Sequence, residues 1–208
     1  MIMNIAFSNL RGGCGSTTLI LLMAHYLARL TKTVYLIDLT YERTLELWHR
    51  HSVLLEEKLP FEFFATELSN APLLLQKFSR QDALLLLDLP KLSENEHFLK
   101  LIKQIDAFVI PFSYGAAGFN AAIRYAVMIA KMTPESSLIF LPNDWGEGQK
   151  GSNLEAHQQL LRKLGSLSAP LSFHIGLQGL ESLSIATQVL FDFWATLRIL
   201  SAQYLKVG

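Results

Sequence analysis

Nine residues, Leu10-Arg11-Gly12-Gly13-Cys14-Gly15-Ser16-Thr17-Thr18, constrain this chain more than any others. They follow an apolar, strand-like run over 2–7 and open into a second apolar run over 19–30 that is long enough for a helix. Glycine lets a backbone curl tightly between two such elements, because it reaches left-handed conformations at little steric cost. A glycine-rich turn in that place also aims its N–H groups, and the positive end of the helix dipole, at one point in space. Gly12, Gly13, Gly15 and the amides of Ser16, Thr17 and Thr18 therefore read as an anion cradle that works through backbone groups alone.

The rest of the chain repeats the same alternation. Strand-like runs lie at 4–8, 33–38, 61–65, 83–88, 107–111, 137–141 and 171–175, and helical patterns fill 17–30, 42–57, 71–78, 94–104, 117–132, 153–164 and 184–205. The strands are apolar throughout rather than alternating, which is the pattern of a parallel sheet covered on both faces. The expected architecture is α/β: one domain over residues 1–208, with a doubly wound, mainly parallel sheet flanked by helices. Ligands of such sheets bind beyond the carboxyl ends of the strands, and the polar stretch 143–152 is the expected surface loop there.

A strict phosphate loop runs Gly, four residues, Gly-Lys-Ser/Thr. Here Leu10 stands at the leading glycine and Ser16 at the lysine. What remains, Gly12-Gly13-x-Gly15 before two threonines, resembles the deviant Walker A motif of the ParA/MinD family of P-loop ATPases, Lys-Gly-Gly-x-Gly-Lys-Thr-Thr. The resemblance extends along most of the chain. The run 34–38 ends in Asp38, where the family has Asp-x-Asp. The run 83–88 ends in Asp88, like a Walker B strand, and 138–143 ends in Pro142-Asn143, where family members place an asparagine near adenine.

This resemblance implies a P-loop NTPase fold and a nucleotide site made by Gly12, Gly13, Cys14, Gly15, Ser16, Thr17, Thr18, Pro142 and Asn143. ATP and Mg²⁺ are the implied cofactors, the ion being held by Thr17, Asp38 and Asp88, mostly through water. The alternative for Asp88, an ordinary strand end stopped by Pro90, is less favoured given the apolar run before it and its place in the order. Arg11 occupies the position of the family's signature lysine, which reaches across a dimer. Arg11, in its own site or its neighbour's, and Asp38 are thus the implied catalytic groups.

The departures matter as much as the matches. A hydrogen bond to a charged group contributes about 1.5–3 kcal/mol, so Ser16 weakens triphosphate binding roughly ten- to a hundredfold unless Arg11, a permanently charged fork, takes over. Thr40 replaces the family's second acid, to which positioning of the attacking water is assigned, and a hydroxyl does not usefully accept a proton at neutral pH. Glu42 is the nearest other acid. The implied function is a nucleotide-binding dimeric switch that positions or partitions DNA or a protein complex, with ATP hydrolysis weak or lost. The competing reading is a pseudo-ATPase scaffold or adaptor that binds no nucleotide and works through protein contacts. A kinase-like P-loop enzyme needs acceptor-handling acids that cannot be located here.

Composition narrows the partners. Eighteen basic and eighteen acidic side chains cancel, so no overall field draws the chain to nucleic acid or to an anionic bilayer. Contact with nonspecific DNA would rest on Arg124, Lys131, Lys150, Arg162 and Lys163 and be weak and salt-sensitive. A homodimer and a partner or cargo protein are expected from the resemblance. Cys14, the single cysteine, is either a thiol whose pKa falls near a helix N-terminus or simply a small residue in the loop. The six histidines lack metal-ligand spacing, so neither zinc nor haem is expected. In the C-terminal run Leu190, Phe193, Trp194, Leu197, Leu200, Ser201 and Tyr204 share one stripe, while only Arg198 and Lys206 are basic. That run should pack on the sheet or on a partner subunit rather than on a membrane. A lone cysteine and a start without a leader pattern point to the cytoplasm.

Overall fold

The computed structural model describes residues 3–30, 33–78, 82–91, 95–143, 153–172, 174–177 and 179–205. Seven strands form one sheet: β1 (Met3–Phe7), β2 (Thr33–Asp38), β3 (Glu62–Ala65), β4 (Ala83–Asp88), β5 (Ala107–Phe112), β6 (Ser137–Pro142) and β7 (Ser166–Leu167). Their spatial order is β3-β2-β4-β1-β5-β6-β7, and every pairing is parallel. The helices are α1 (Ser16–Leu27), α2 (Thr44–Leu54), α3 (Ala71–Phe78), α4 (Glu96–Ile102), α5 (Ala116–Met132), α6 (Leu154–Leu164) and α7 (Thr187–Ile199).

Successive side chains of a strand point to opposite faces, so an unbroken apolar strand feeds two cores. In β4, Leu84 and Leu86 join one core while Leu85 and Leu87 join the other. The first core lies under α1 and α7, and Leu45 of α2 enters it. The second gathers Leu75 and Phe78 of α3, Phe98 of α4, Tyr125 and Ile129 of α5 and Leu161 of α6. Burying one such leucine contributes about 1.5–3 kcal/mol. Helix α1 is buried along the whole stretch from Leu19 to Leu27, which fixes its N-terminus rigidly at the end of β1.

The C-terminal stripe packs on the sheet side occupied by α1. Leu190, Phe193, Leu197, Leu200 and Ser201 are buried, and the Trp194 ring meets Tyr26 edge-on at 4.7 Å. Beyond α7 the chain continues as a wider π-helical turn, Leu200–Leu205, in which the Tyr204 hydroxyl donates to the Leu167 carbonyl at 3.0 Å. No helix among the described residues is long and apolar enough to cross a membrane.

One expected strand is corrected. The seventh strand is Ser166–Leu167 rather than 171–175, and Ile175–Leu177 forms a single 3₁₀ turn. The chain still runs beside β6, with Ser168 N–H donating to the Phe140 carbonyl at 2.9 Å and Leu171 N–H to that of Pro142 at 2.8 Å. Pro170 between them has no N–H to give, so the ladder breaks there. The expected loop beyond Asn143, Lys150, Lys206 and the start of the helix predicted from residue 94 lie outside the described residues.

Candidate functional site

The carboxyl ends of β1, β2 and β4 open on a cavity of about 450 Å³ beneath the glycine loop. That volume is in the range of small-molecule sites. The loop's shape follows from its glycines. Gly13 and Gly15 hold φ of 76° and 86°, left-handed values that strain other residues. Gly15 is also the residue that caps α1, and it brings no side chain to bond the first-turn amides. The N–H groups at the start of α1 are thus left for an anion, the geometry that suits a phosphate.

Other side chains pin the loop from below. Buried Asn9 donates to the Pro111 carbonyl at 2.7 Å while its Oδ1 accepts from Arg11 N–H at 3.4 Å, tying the loop's start to β5. From the end of β6, Asn143 Nδ2 donates to the Cys14 carbonyl at 2.9 Å. A Cβ built on Gly15 would lie 2.4 Å from that same nitrogen, so a side chain there would displace Asn143 as well as strain the left-handed backbone.

Arg11, Gly12, Gly13, Cys14, Gly15, Ser16, Thr17, Thr18 and Asp88 all line the cavity, so most of the residues expected at a nucleotide site converge on it. Thr17 Oγ1 donates to Asp88 Oδ2 at 2.8 Å, bringing together two of the three expected metal-site groups. Burial, with smaller contributions from the nearby charges of Asp38 and Glu42, pushes the Asp88 carboxyl up to about 7 against the Thr17 hydrogen bond. A divalent cation at this point would offset that cost.

Asp38 is placed differently. It stands opposite Asp88 in the β2–β4 register, yet its Oδ1 accepts from Thr40 N–H at 2.9 Å and from Thr40 Oγ1 at 2.6 Å. Its Oδ2 accepts from Glu46 N–H at 3.2 Å in the first turn of α2. Both oxygens therefore serve the β2–α2 connection, and the side chain is fully buried. Pro142 lines a second cavity of about 270 Å³ with Tyr114, Gln158 and Arg162, while Asn143 lies between that cavity and the loop.

Of the two readings of Cys14, the geometry favours the small loop residue over the reactive thiol. Burial pushes it up, against the pull of its own backbone, Arg11 and Lys91, and Sγ donates to the Arg11 carbonyl. A lowered, reactive thiol at the helix N-terminus is not what forms. Buried His25 is likewise structural: its Nε2 bonds the Leu183 carbonyl at 2.7 Å, and burial lowers its pKa.

Three cavity residues carried no sequence signal strong enough to find them, or only part of one. Glu42 was legible as an acid near Thr40. Trp48 of α2 forms part of the cavity wall. Lys91, just past Asp88-Leu89-Pro90, brings its ammonium over the loop: a Cβ built on Gly12 would lie 3.5 Å from Lys91 Nζ. Distance along the sequence hides that contact, because Lys91 and Gly12 meet only through the β1–β4 pairing.

No protein-family model matches the sequence, and a comparison with curated proteins returns no match. Solved structures do match over nearly the whole chain. A chain of the MinC:MinD cell-division complex of Aquifex aeolicus is 16% identical, with a TM-score of 0.73 over 99% of this chain and 96% of that one. This is the ParA/MinD fold. A McdA variant of Cyanothece in complex with ATP is 12% identical, with a TM-score of 0.72 over 100% of this chain and 97% of that one. The pNOB8 ParA structure on nonspecific DNA is 14% identical, with a TM-score of 0.67 over 100% and 97%. These structural neighbours of the chain are P-loop ATPases of the ParA/MinD group, and its seven-stranded parallel sheet is theirs.

Proposed function

We propose that this chain is a single-domain, cytoplasmic, ParA/MinD-like nucleotide-binding protein, working as a homodimeric switch that positions or partitions DNA or a protein complex. The observation that carries the reading is the uncapped N-terminus of α1, opening through Gly15 onto a cavity that also holds the Thr17–Asp88 pair. Phosphates would lie on the amides of Gly13 to Thr18, and Mg²⁺ would be held by Thr17 and Asp88. When bound, that ion supplies charge neutralisation at the phosphates. Arg11 is exposed at the cavity rim, a position suited to its own site or to a partner's.

Hydrolysis is the weaker half of the family's cycle here. Ser16 brings no charge, and Thr40, although it lines the cavity, donates its hydroxyl to Asp38. Glu42, exposed and on the cavity wall, is the acid with access to a water. DNA contact, if used, would involve Arg124 and Lys131 of α5 with Arg162 and Lys163 of α6, all exposed and on the same side of the sheet. Binding through so few cations should vanish at moderate salt.

Titration calorimetry with Mg·ATP, paired with light scattering after size exclusion, tests the proposal. Expected are a measurable heat, a shift from monomer to dimer mass, and phosphate release near background. Neither heat nor thermal stabilisation would leave the scaffold reading, in which the loop merely turns the chain.

A further inference from the structure

The loop has lost the lysine expected at Ser16, yet an ammonium faces the same cavity from the segment that follows β4. Lys91 stands over Gly12, its Nζ 3.5 Å from where a Cβ of that residue would lie, and it lines the same cavity as the loop. We propose that Lys91 replaces the missing loop lysine, contacting the terminal phosphates of a bound nucleoside triphosphate from the segment that follows β4. The inference rests on the nucleotide reading above and names the residue that gives it selectivity for triphosphate.

The root of Lys91 is well anchored. Leu89 is buried and its N–H donates to the Phe7 carbonyl at 3.2 Å, while Ser8 Oγ donates to the Pro90 carbonyl at 3.3 Å. Pro90 fixes its own φ, so the chain leaves β4 in a set direction toward the loop. The ammonium beyond it is a compact charge on a flexible stem, able to follow a phosphate that a rigid fork would have to meet in one geometry. Its field already reaches into the loop, since Lys91 and Arg11 both act on the Cys14 thiol in the sense that favours an anion.

A lysine on α1 is held by a buried helix whatever is bound. Lys91 lies three residues beyond Asp88, so a phosphate that engages it also engages the end of β4. Terminal-phosphate binding is thereby linked to the position of residues 89–91, which gives a switch of this kind its nucleotide-sensitive segment.

Calorimetry on the full chain with Mg·AMPPNP and Mg·ADP tests the assignment in the native protein, Lys91→Met and Lys91→Arg. Lys91→Met keeps the stem and removes the charge. It should weaken AMPPNP roughly ten- to a hundredfold and ADP by a smaller factor, with the nucleotide-free unfolding midpoint unchanged. Lys91→Arg should recover part of the loss, and adding Ser16→Lys to Lys91→Met should recover most of it. Unchanged AMPPNP affinity in Lys91→Met overturns the role of Lys91 and leaves the nucleotide reading standing. Equal losses for AMPPNP and ADP overturn the terminal-phosphate assignment. No binding of either nucleotide by the native protein overturns the nucleotide reading and this inference with it.

Discussion

The acids that end β2 and β4 are neighbours in register and serve opposite ends. Asp38 is enclosed: Thr40 and the first turn of α2 take both its oxygens, and it acts as a distant cap for that helix. Asp88 has the Thr17 hydroxyl and an open cavity in front of it, and its carboxyl is raised to about 7 by burial. The same side chain at the same level of a parallel sheet is thus either part of the framework or a group in need of a partner. The residue two positions on decides, because Thr40 can donate to Asp38 where a second carboxylate could not.

The largest test of that contrast is pH. Burial raises the folded Asp88 carboxyl above its ordinary 3.8, so the native state holds this proton more tightly than the unfolded chain does. Its contribution to stability is full below about pH 4 and is lost as pH rises through about 7. Asp88→Asn removes the titration while keeping an acceptor for Thr17. In denaturant unfolding without metal, its stability relative to the native protein should improve by roughly 4 kcal/mol between pH 4 and pH 8.5. A constant difference would mean that Asp88 is as well satisfied as Asp38.

Asp38→Ala should do the reverse. It leaves the Thr40 hydroxyl and the Glu46 N–H without their acceptor, and a cost of about 3 kcal/mol is expected at pH 7. Hydrogen exchange should place the loss at the start of α2. If nucleotide affinity fell while stability held, Asp38 would belong to the site and the contrast would dissolve.

The sequence made one of these regions readable and left the other dark. The loop and α1 announce themselves, since three glycines between an apolar strand and a continuously apolar helix leave few alternatives, and α3 falls at 71–78 as its pattern requires. Both cores follow from strands apolar on both faces. The capping role of Asp38 could not be read, because it depends on where Glu46 N–H arrives after α2 begins. The contact of Asn143 with the Cys14 carbonyl spans 129 positions, and only the finished sheet brings the two together. The two-residue β7 is too short to show a period, and Pro170 makes the apolar run after it a misleading candidate. The thiol of Cys14 shows the limit of a local rule: the helix N-terminus is present, and burial outweighs it.

Restoring the family's second acid is the next test in size. Thr40→Asp would set a carboxylate where the Thr40 hydroxyl now donates to buried Asp38, exchanging a hydrogen bond for repulsion between like charges. A loss of about 2 kcal/mol at pH 8, smaller at pH 4, is the expected outcome of urea unfolding at the two pH values. Phosphate release should stay near background even in the Ser16→Lys, Thr40→Asp double variant, because the new acid is spent on disorder at the β2–α2 junction. Turnover by that double variant would show that Asp38 can give up its capping role, and that the segment is less fixed than its hydrogen bonds imply.

Ser16→Lys alone gives the smallest effect and probes the open region directly. Position 16 is the first residue of α1, half-buried on the cavity wall, and nothing in the loop's backbone geometry depends on its side chain. A lysine there should tighten Mg·AMPPNP by about tenfold, equivalent to about 1.4 kcal/mol, and leave unfolding in the absence of nucleotide unchanged. The gain is held to that size because Arg11 and Lys91 already place positive charge around the same volume, and a third cation adds less than the first. A gain of several hundredfold would mean that neither of them reaches the phosphates, and no gain would mean that together they already fill the role. Measured beside the loss in Asp38→Ala, the result separates a region whose backbone geometry suffices for binding from one whose side chains hold the fold.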